Sequence, residues 1–423
     1  MLNSAHHYGR KLLNIVFLQT YYYNLSQLSS NLSADMLLSP TIEESNSPPY
    51  GWSLPSNTPS VVGTPVSQHI TEGHRSYVDP ERLTRTKEPL KYGGSLDGYR
   101  SFNVTPKSGR EFPDAKLSEW MQAPNSDQLL RDLAVTVSQR GVVFFRAQDD
   151  MTIELQKQLA QRLGLLSGKP AQNSLHIFPY TLPSKKGGDL EVTVITHEDK
   201  PENGKTRARL QDPDNTPIYE MWHSDTTFEH VPCDYAVLRM VQMPQCGGDT
   251  VWASGYEVYN RLSRPLQSLF ESLTFTGGQP RYHQMAAAKN IPSYENPRGA
   301  PENVGTHVRA VHPVVRTNPI TGWNSIYALG HHVEYINGVS RSESKKLLDW
   351  LHDMVVMNHD IHVRHRWVNE NDMAIWDNRS MVHTATPDYL DQGLGNRKGF
   401  RVISIGERPY FDPQGVSISN GLI

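Results

Sequence analysis

Apolar residues recur every fourth position between Asp127 and Arg140, at Leu129, Leu133 and Val137. That spacing lines one face of an α-helix, and Gly141 supplies a stop. Val142-Val143-Phe144-Phe145 follows as an apolar run closed by Arg146, short enough for a buried strand. Thr152 can cap a second helix carrying Leu155, Leu159 and Leu163 on one face, with Gly164 as its expected end. Ser263 before Arg264-Pro265 suits the start of a third. Ser340 and Glu343 form a capping box ahead of Leu347, Leu348, Leu351 and Val355. Short β-like runs lie between and after these helices, at Tyr235–Met240, Val311–Arg316, Met373–Asp377 and Arg401–Gly406. Scattered strands with a few helices predict a mainly β fold with helical decoration, a sandwich or barrel rather than an alternating βα sheet.

The first 85 residues follow no such pattern. Thirteen of the thirty positions from Ser39 to Gln68 are Ser or Pro, so this stretch has too little apolar surface to offset its chain entropy. The expectation is a largely disordered extension over 1–85, a folded domain over 86–415 and a tail over 416–423. No acidic residue precedes Asp35, and Arg10-Lys11 stands before the short apolar run from Leu12 to Leu18. An unstructured extension is the simpler reading of residues 1–34, and a weak targeting peptide is the alternative.

Composition narrows the function. Lys plus Arg total 41 and Asp plus Glu 44, so the chain lacks the basic surplus of a nucleic-acid binder. No apolar run is long enough to span a membrane. Two cysteines, Cys233 and Cys246, exclude a disulfide-stapled scaffold and a thiolate zinc site, and fit an intracellular, cytoplasmic protein. Both are expected to be packed thiols. With 18 histidines, any metal should rest on imidazole and carboxylate.

The segment Met221-Trp222-His223-Ser224-Asp225-Thr226-Thr227-Phe228 carries that chemistry. Residues two apart on an extended chain share a face, so His223 and Asp225 can offer one imidazole and one carboxylate to a single ion. A second imidazole would complete a two-His-one-carboxylate face with open positions for substrate and O₂, a ligand set suited to Fe(II). His197-Glu198-Asp199 repeats the spacing but sits among Lys200, Glu202, Asn203, Gly204 and Lys205, as a solvated loop would. The second imidazole could come from 307, 312, 331, 332, 359, 362, 365 or 383, and spacing alone does not choose. His383 stands out for the two arginines downstream of it. Arg397 and Arg401 come fourteen and eighteen residues later, four apart, and would share a strand face. Two guanidinium forks beside one metal make a receptor for two anionic groups.

Together these residues resemble the taurine dioxygenase (TauD/TfdA) family of Fe(II)/2-oxoglutarate-dependent oxygenases. The resemblance runs from about Arg140 to Phe411. It is carried by Trp222-His223-x-Asp225-x-Thr227-Phe228, Gly247-Gly248-Asp249-Thr250-x-Trp252-x-Ser254-Gly255, His312-Pro313-Val314-Val315-Arg316, Ala374-Ile375-Trp376-Asp377-Asn378-Arg379, and His383 with its two arginines. The resemblance implies a double-stranded β-helix (jelly roll) with helical insertions. It assigns Fe(II) to His223, Asp225 and His383, the distal carboxylate of 2-oxoglutarate to Thr250 and Arg397, and the acidic head group of the substrate to Arg401. Substrate C–H hydroxylation with O₂, yielding succinate and CO₂, is the implied reaction. A catalytically inactive jelly-roll binding or regulatory module and a zinc hydrolase are the competing readings; homo-oligomerisation is left open.

The substrate pocket departs from the taurine-cleaving members. Where they carry His and Tyr in a Leu-His-x-His-Pro-x-Tyr stretch, this chain has Phe178 and Thr181. Tyr219 replaces their Asn near the amine, and His332 replaces a pocket-lining aromatic residue. The expected substrate is therefore a different small anion, a sulfonate, sulfate ester or carboxylate, bulkier or less polar than taurine.

Overall fold

The strand Val142–Phe145 is apolar at every position because both its faces are covered. Val143 and Phe145 pack towards helices, with Leu129, Leu133 and Val137 from one and Leu159 and Leu163 from the other. Val142 and Phe144 pack the opposite way, against Trp252, Val363 and Met381. Met373–Asp377 divides likewise, Met373 and Ile375 to the helices, Ala374 and Trp376 inwards. Side-chain alternation along each strand thus generates two cores from one sheet. The computed structural model that shows this describes residues 88–180, 189–197, 221–288, 290–390 and 392–418. The extension 1–85, part of the tail 416–423, Thr181, Tyr219 and the Glu198-Asp199 end of the repeated motif lie outside the described residues.

That sheet has seven strands, in the order Phe102–Asn103, Arg110–Phe112, Val142–Phe145, Met373–Asp377, Cys233–Gln242, Arg397–Ile405 and Val192–His197. Facing it is a three-stranded sheet, His362–His365, Thr250–Ser254 and Met381–Ala385. A second three-stranded sheet, Val333–Ile336, Thr274–Gly278 and Arg309–Pro313, and the pair Val315–Thr317 and Asn324–Ile326 complete the sheets among the described residues. The fold is a jelly roll with helices on its outer face. No helix among the described residues is long and apolar enough to cross a membrane.

The predicted helices form at Ser126–Arg140, Ile153–Ser167, Arg264–Glu271 and Arg341–Met357, the last with both arms of the Ser340/Glu343 capping box in place. Several boundaries differ from expectation; the last strand, for one, begins at Arg397 rather than Arg401, and Tyr235–Met240 extends to Cys233–Gln242. The second helix does not stop at Gly164 but continues to Ser167, with left-handed Gly168 as its cap. Gly164 is small for packing reasons: a Cβ there would lie 2.6 Å from both the Lys169 stem and Ser404 Oγ. The expected strand Val311–Arg316 is two short strands broken at Val314, whose N–H leaves the ladder for Leu273 O.

Candidate active site

His223 and Asp225 are held by the turn around them rather than by an extended strand. His223 exchanges backbone hydrogen bonds with His383, at 3.0 and 2.8 Å, and also bridges Gly330. Gly330 has φ +85°, and a Cβ on it would lie 2.2 Å from Trp222 O, so only glycine lets this segment approach. Thr226 takes φ +55°, a conformation that β-branched residues rarely adopt. Its Oγ1 accepts from Cys233 N and its carbonyl from Glu229 N, which holds the turn and with it the aim of Asp225. Asp225 N donates to Asn378 Oδ1, and the Cys233 thiol donates to Asp225 O at 3.1 Å.

His383 arrives from Met381–Ala385, and the ligand atoms of His223, Asp225 and His383 all lie within 4.8 Å of one another. The tautomer of His223 is set by its neighbours. Its Nδ1 is 2.9 Å from Met221 O, which can only accept, so Nδ1 carries the proton and Nε2 presents a lone pair. That Nε2 lies 3.7 Å from Asp225 Oδ1, and His383 Nε2 lies 4.0 Å from Asp225 Oδ2. Burial lowers the pKa of both imidazoles. His223 falls well below its ordinary range, with His383 and His331 adding to the effect, and His383 falls to about 3, helped by Arg401. Both are therefore neutral, the state a metal ligand needs. Asp225 Oδ2 is buried and has no hydrogen-bond partner among the described residues. A buried carboxylate oxygen left open beside two imidazole lone pairs is a donor set that fits a divalent transition metal.

A second centre lies on Arg397, at the head of the strand Arg397–Ile405, and Thr250, at the head of Thr250–Ser254. Arg397 is 2 % exposed, and among the described residues its hydrogen-bond partners are neutral: Gly248 O at 2.9 Å and Thr250 Oγ1 at 3.1 Å. Its Nη1 has no partner. Thr250 Oγ1 also accepts from Trp367 Nε1 at 3.1 Å. With two donors on the oxygen, the threonine proton is directed elsewhere. A buried cation with a spare N–H, beside a hydroxyl with a spare proton, is a receptor for a carboxylate and fits the far end of 2-oxoglutarate.

Arg401 shares the strand with Arg397 and reaches the metal cluster, donating from Nη1 to Asp225 Oδ1 at 2.6 Å. Phe178 is half-buried in an apolar patch with Tyr180, Phe228, Ala286, Ile291 and Val308. His332 continues that patch to the ligands, its ring centre 5.4 Å from Phe228 and 5.2 Å from His223. Its Nδ1 donates to Ser224 O at 2.9 Å, so its buried, unpartnered Nε2 is a lone-pair acceptor. Tyr219 lies outside the described residues. Asp377 is bound by Arg379 at 2.7 and 2.8 Å and by Asn318, as a structural carboxylate would be. Cys233 is packed as expected, but Cys246 is exposed, because the Gly247-Gly248 turn carries it to the surface. Three residues that bear on the site carried no such role in the sequence: Trp367 behind Thr250, and Asn378 and Cys233 behind Asp225. Asn378 alone lay within a recognised motif.

The family model described as "Taurine catabolism dioxygenase TauD, TfdA family" matches residues 100–403. The chain is 49% identical over 337 residues to the alpha-ketoglutarate-dependent dioxygenase btcD of Neocamarosporium betae, covering 77% of this chain and 96% of that protein. It is 30% identical over 307 residues to an alpha-ketoglutarate-dependent sulfate ester dioxygenase of Pseudomonas putida, covering 72% of this chain and 89% of the other. Among solved structures, a taurine dioxygenase from Burkholderia xenovorans superposes with a TM-score of 0.55 at 23% identity, over 75% of this chain and 92% of that one, which supports the fold.

Proposed function

Because the chain belongs to the taurine catabolism dioxygenase TauD/TfdA family and is an alpha-ketoglutarate-dependent dioxygenase using Fe(II), 2-oxoglutarate and O₂, we propose that it hydroxylates a small anionic organic substrate with an apolar body. The observation that carries this reading is the pairing of two separately placed guanidinium groups with one metal-ligand cluster. Arg397 waits on a neutral hydrogen-bond set that lacks an anion, and Arg401 stands at the metal-ligand edge.

In this reading His223, Asp225 and His383 hold the iron. Bound there with 2-oxoglutarate and O₂, it supplies the oxidising power for C–H hydroxylation, with succinate and CO₂ as co-products. The remaining work belongs to the protein. Met221 O fixes the His223 tautomer, and Asn378 and Cys233 steady the backbone of Asp225. Arg397 and the Thr250 hydroxyl bind the distal carboxylate, and Trp367 turns the threonine proton towards it. Arg401 binds the substrate's anionic head. Phe178, Phe228 and His332 line the space for its body and exclude water from the reacting carbon. Phe178, packed against Phe228 where taurine-cleaving relatives place a histidine, favours a substrate less polar than taurine.

The test is aerobic incubation with Fe(II), 2-oxoglutarate and a panel of alkyl sulfonates, alkyl sulfates and aryloxy or aliphatic carboxylates. Succinate and any released sulfite or sulfate are followed. Succinate formation tied to an apolar anion supports the reading; clear preference for taurine, or turnover that persists when Zn(II) replaces Fe(II), would defeat it.

A further inference from the structure

Arg401 touches the metal cluster itself. Its Nη1 donates to Asp225 Oδ1 at 2.6 Å, a charge-assisted hydrogen bond at the short end of the range. Asp225 Oδ1 is also the carboxylate oxygen near the lone pair of His223, at 3.7 Å. The same guanidinium keeps a second donor, Nε, that is buried with no partner among the described residues. One side chain therefore reaches the carboxylate of the metal site and still has an N–H to offer an anion.

We propose that Arg401 is a positioning residue that couples the two sites: it holds Asp225 while the anion site is empty, and an anion on its guanidinium releases that carboxylate to the metal. The inference rests on the metal and substrate assignments made above. Two physical effects act in one direction. A cation in hydrogen-bond contact with a ligand carboxylate occupies one of its lone pairs and repels an incoming dication. A sulfonate or carboxylate on Arg401 offsets that charge and competes for its N–H groups. Metal affinity should thus rise when an anion is bound, and by linkage anion affinity should rise by the same factor when metal is bound. The enzyme would load its metal most firmly when a substrate head group is in place. A side chain serving the substrate alone would leave metal affinity unchanged.

The experiment uses the full chain and Mn(II) alone as probe, its binding followed by loss of the free-ion electron paramagnetic resonance signal, without turnover. Arg401→Met should bind Mn(II) about fivefold to tenfold more tightly than wild type, while Arg401→Lys, which keeps the charge, should stay near wild type. Adding n-hexanesulfonate or n-hexanoate should tighten Mn(II) binding to wild type and leave Arg401→Met unmoved. Equal or weaker binding by Arg401→Met overturns the inference, as does a wild type indifferent to both anions or a tightening that survives in Arg401→Met. Circular dichroism confirms folding, and Arg401→Gln replaces the methionine variant if that one is misfolded. Asp225→Ala separates the two levels. If it binds Mn(II) as wild type does, the metal assignment fails; if it loses Mn(II) while Arg401→Met matches wild type, only the coupling fails.

Discussion

Two buried clusters in this protein are built from the same three kinds of group, carboxylate, guanidinium and imidazole, and end differently. Glu229, Arg298 and His176 close on one another. Arg298 donates to both Glu229 oxygens at 2.6 and 2.8 Å and spends Nη1 on Tyr294 O and Gly305 O, while His176 Nε2 meets Glu229 Oε1 at 3.1 Å. Burial opposes the charge of Glu229, but Arg298 and His176 together hold its pKa below the usual carboxylate value. Asp225, Arg401, His223 and His383 stay open. Asp225 Oδ2, Arg401 Nε and His383 Nδ1 are buried and unpartnered among the described residues. Burying polar atoms without partners costs folding free energy, so a cluster that leaves several in one place is shaped for something else to bind there. The two share acidic, guanidinium and imidazole groups at similar depth, and differ in unused hydrogen-bonding capacity.

The largest expected effect tests the open cluster. Asp225→Ala should remove turnover by about a thousandfold or more, equivalent to about 4 kcal/mol, while the urea midpoint falls by less than in Arg298→Ala, because Asp225 gives up one ion-pair contact to Arg401 and an oxygen that has no hydrogen bond among the described residues. Iron-dependent succinate release and equilibrium unfolding check both halves; a large loss of stability would mean Asp225 is structural after all. The closed cluster should behave in reverse. Arg298→Ala leaves the buried Glu229 with His176 in place of a full ion pair, so about 3–5 kcal/mol of stability should go. Urea unfolding measures this, and an unchanged midpoint would break the contrast. Next in size stands Arg397→Gln. Loss of a charged hydrogen bond to a carboxylate, about 1.5–3 kcal/mol, should raise the KM for 2-oxoglutarate about tenfold to a hundredfold. Initial-rate kinetics decide it, and an unchanged KM would place the co-substrate elsewhere.

The ease of reading these features from the sequence tracked the range of the interactions. His223-x-Asp225 and the four-residue step from Arg397 to Arg401 are both local; strand geometry gives the two arginines a shared face, while the turn at Thr226 sets the aim of the His-Asp pair. The Ser340/Glu343 box and the alternation through Val142–Phe145 were legible for the same reason. The contact of Arg401 with Asp225 joins residues 176 apart, and nothing in either neighbourhood announces it. Trp367 reads as one more core aromatic until its N–H is seen on Thr250. Gly164 looks like a helix stop because composition cannot show Lys169 and Ser404 crowding its Cα. The exposure of Cys246 depends on a turn of two positive-φ glycines whose direction is set by Asp388, which accepts from Gly248 N.

The smallest effect bears on the contrast between open and closed clusters, because unpartnered atoms also occur singly, away from the metal ligands. His365 Nε2 is buried and unbonded, yet its ring stacks on Phe144 at 3.9 Å and 7° and meets Trp367 edge-on at 4.8 Å. An aromatic box of this kind offers no second ligand, so here the open ring nitrogen should be a cost and nothing more. Burial, with Arg146 nearby, drives the His365 pKa down to about 3, against 6.5 in an unfolded chain. A base with a depressed folded pKa leaves the unfolded state binding more protons below pH 6.5. Its full stability is present above that value and declines as pH falls towards 3. Between pH 7 and pH 5 the loss is about 2 kcal/mol for one such histidine. His365→Phe should keep the stacking, remove that part of the acid slope and leave metal binding intact. Urea unfolding at pH 7 and pH 5 measures the slope; if the variant loses Mn(II) affinity instead, unpartnered atoms outside the triad also serve the site, and the division between closed and open clusters must be redrawn.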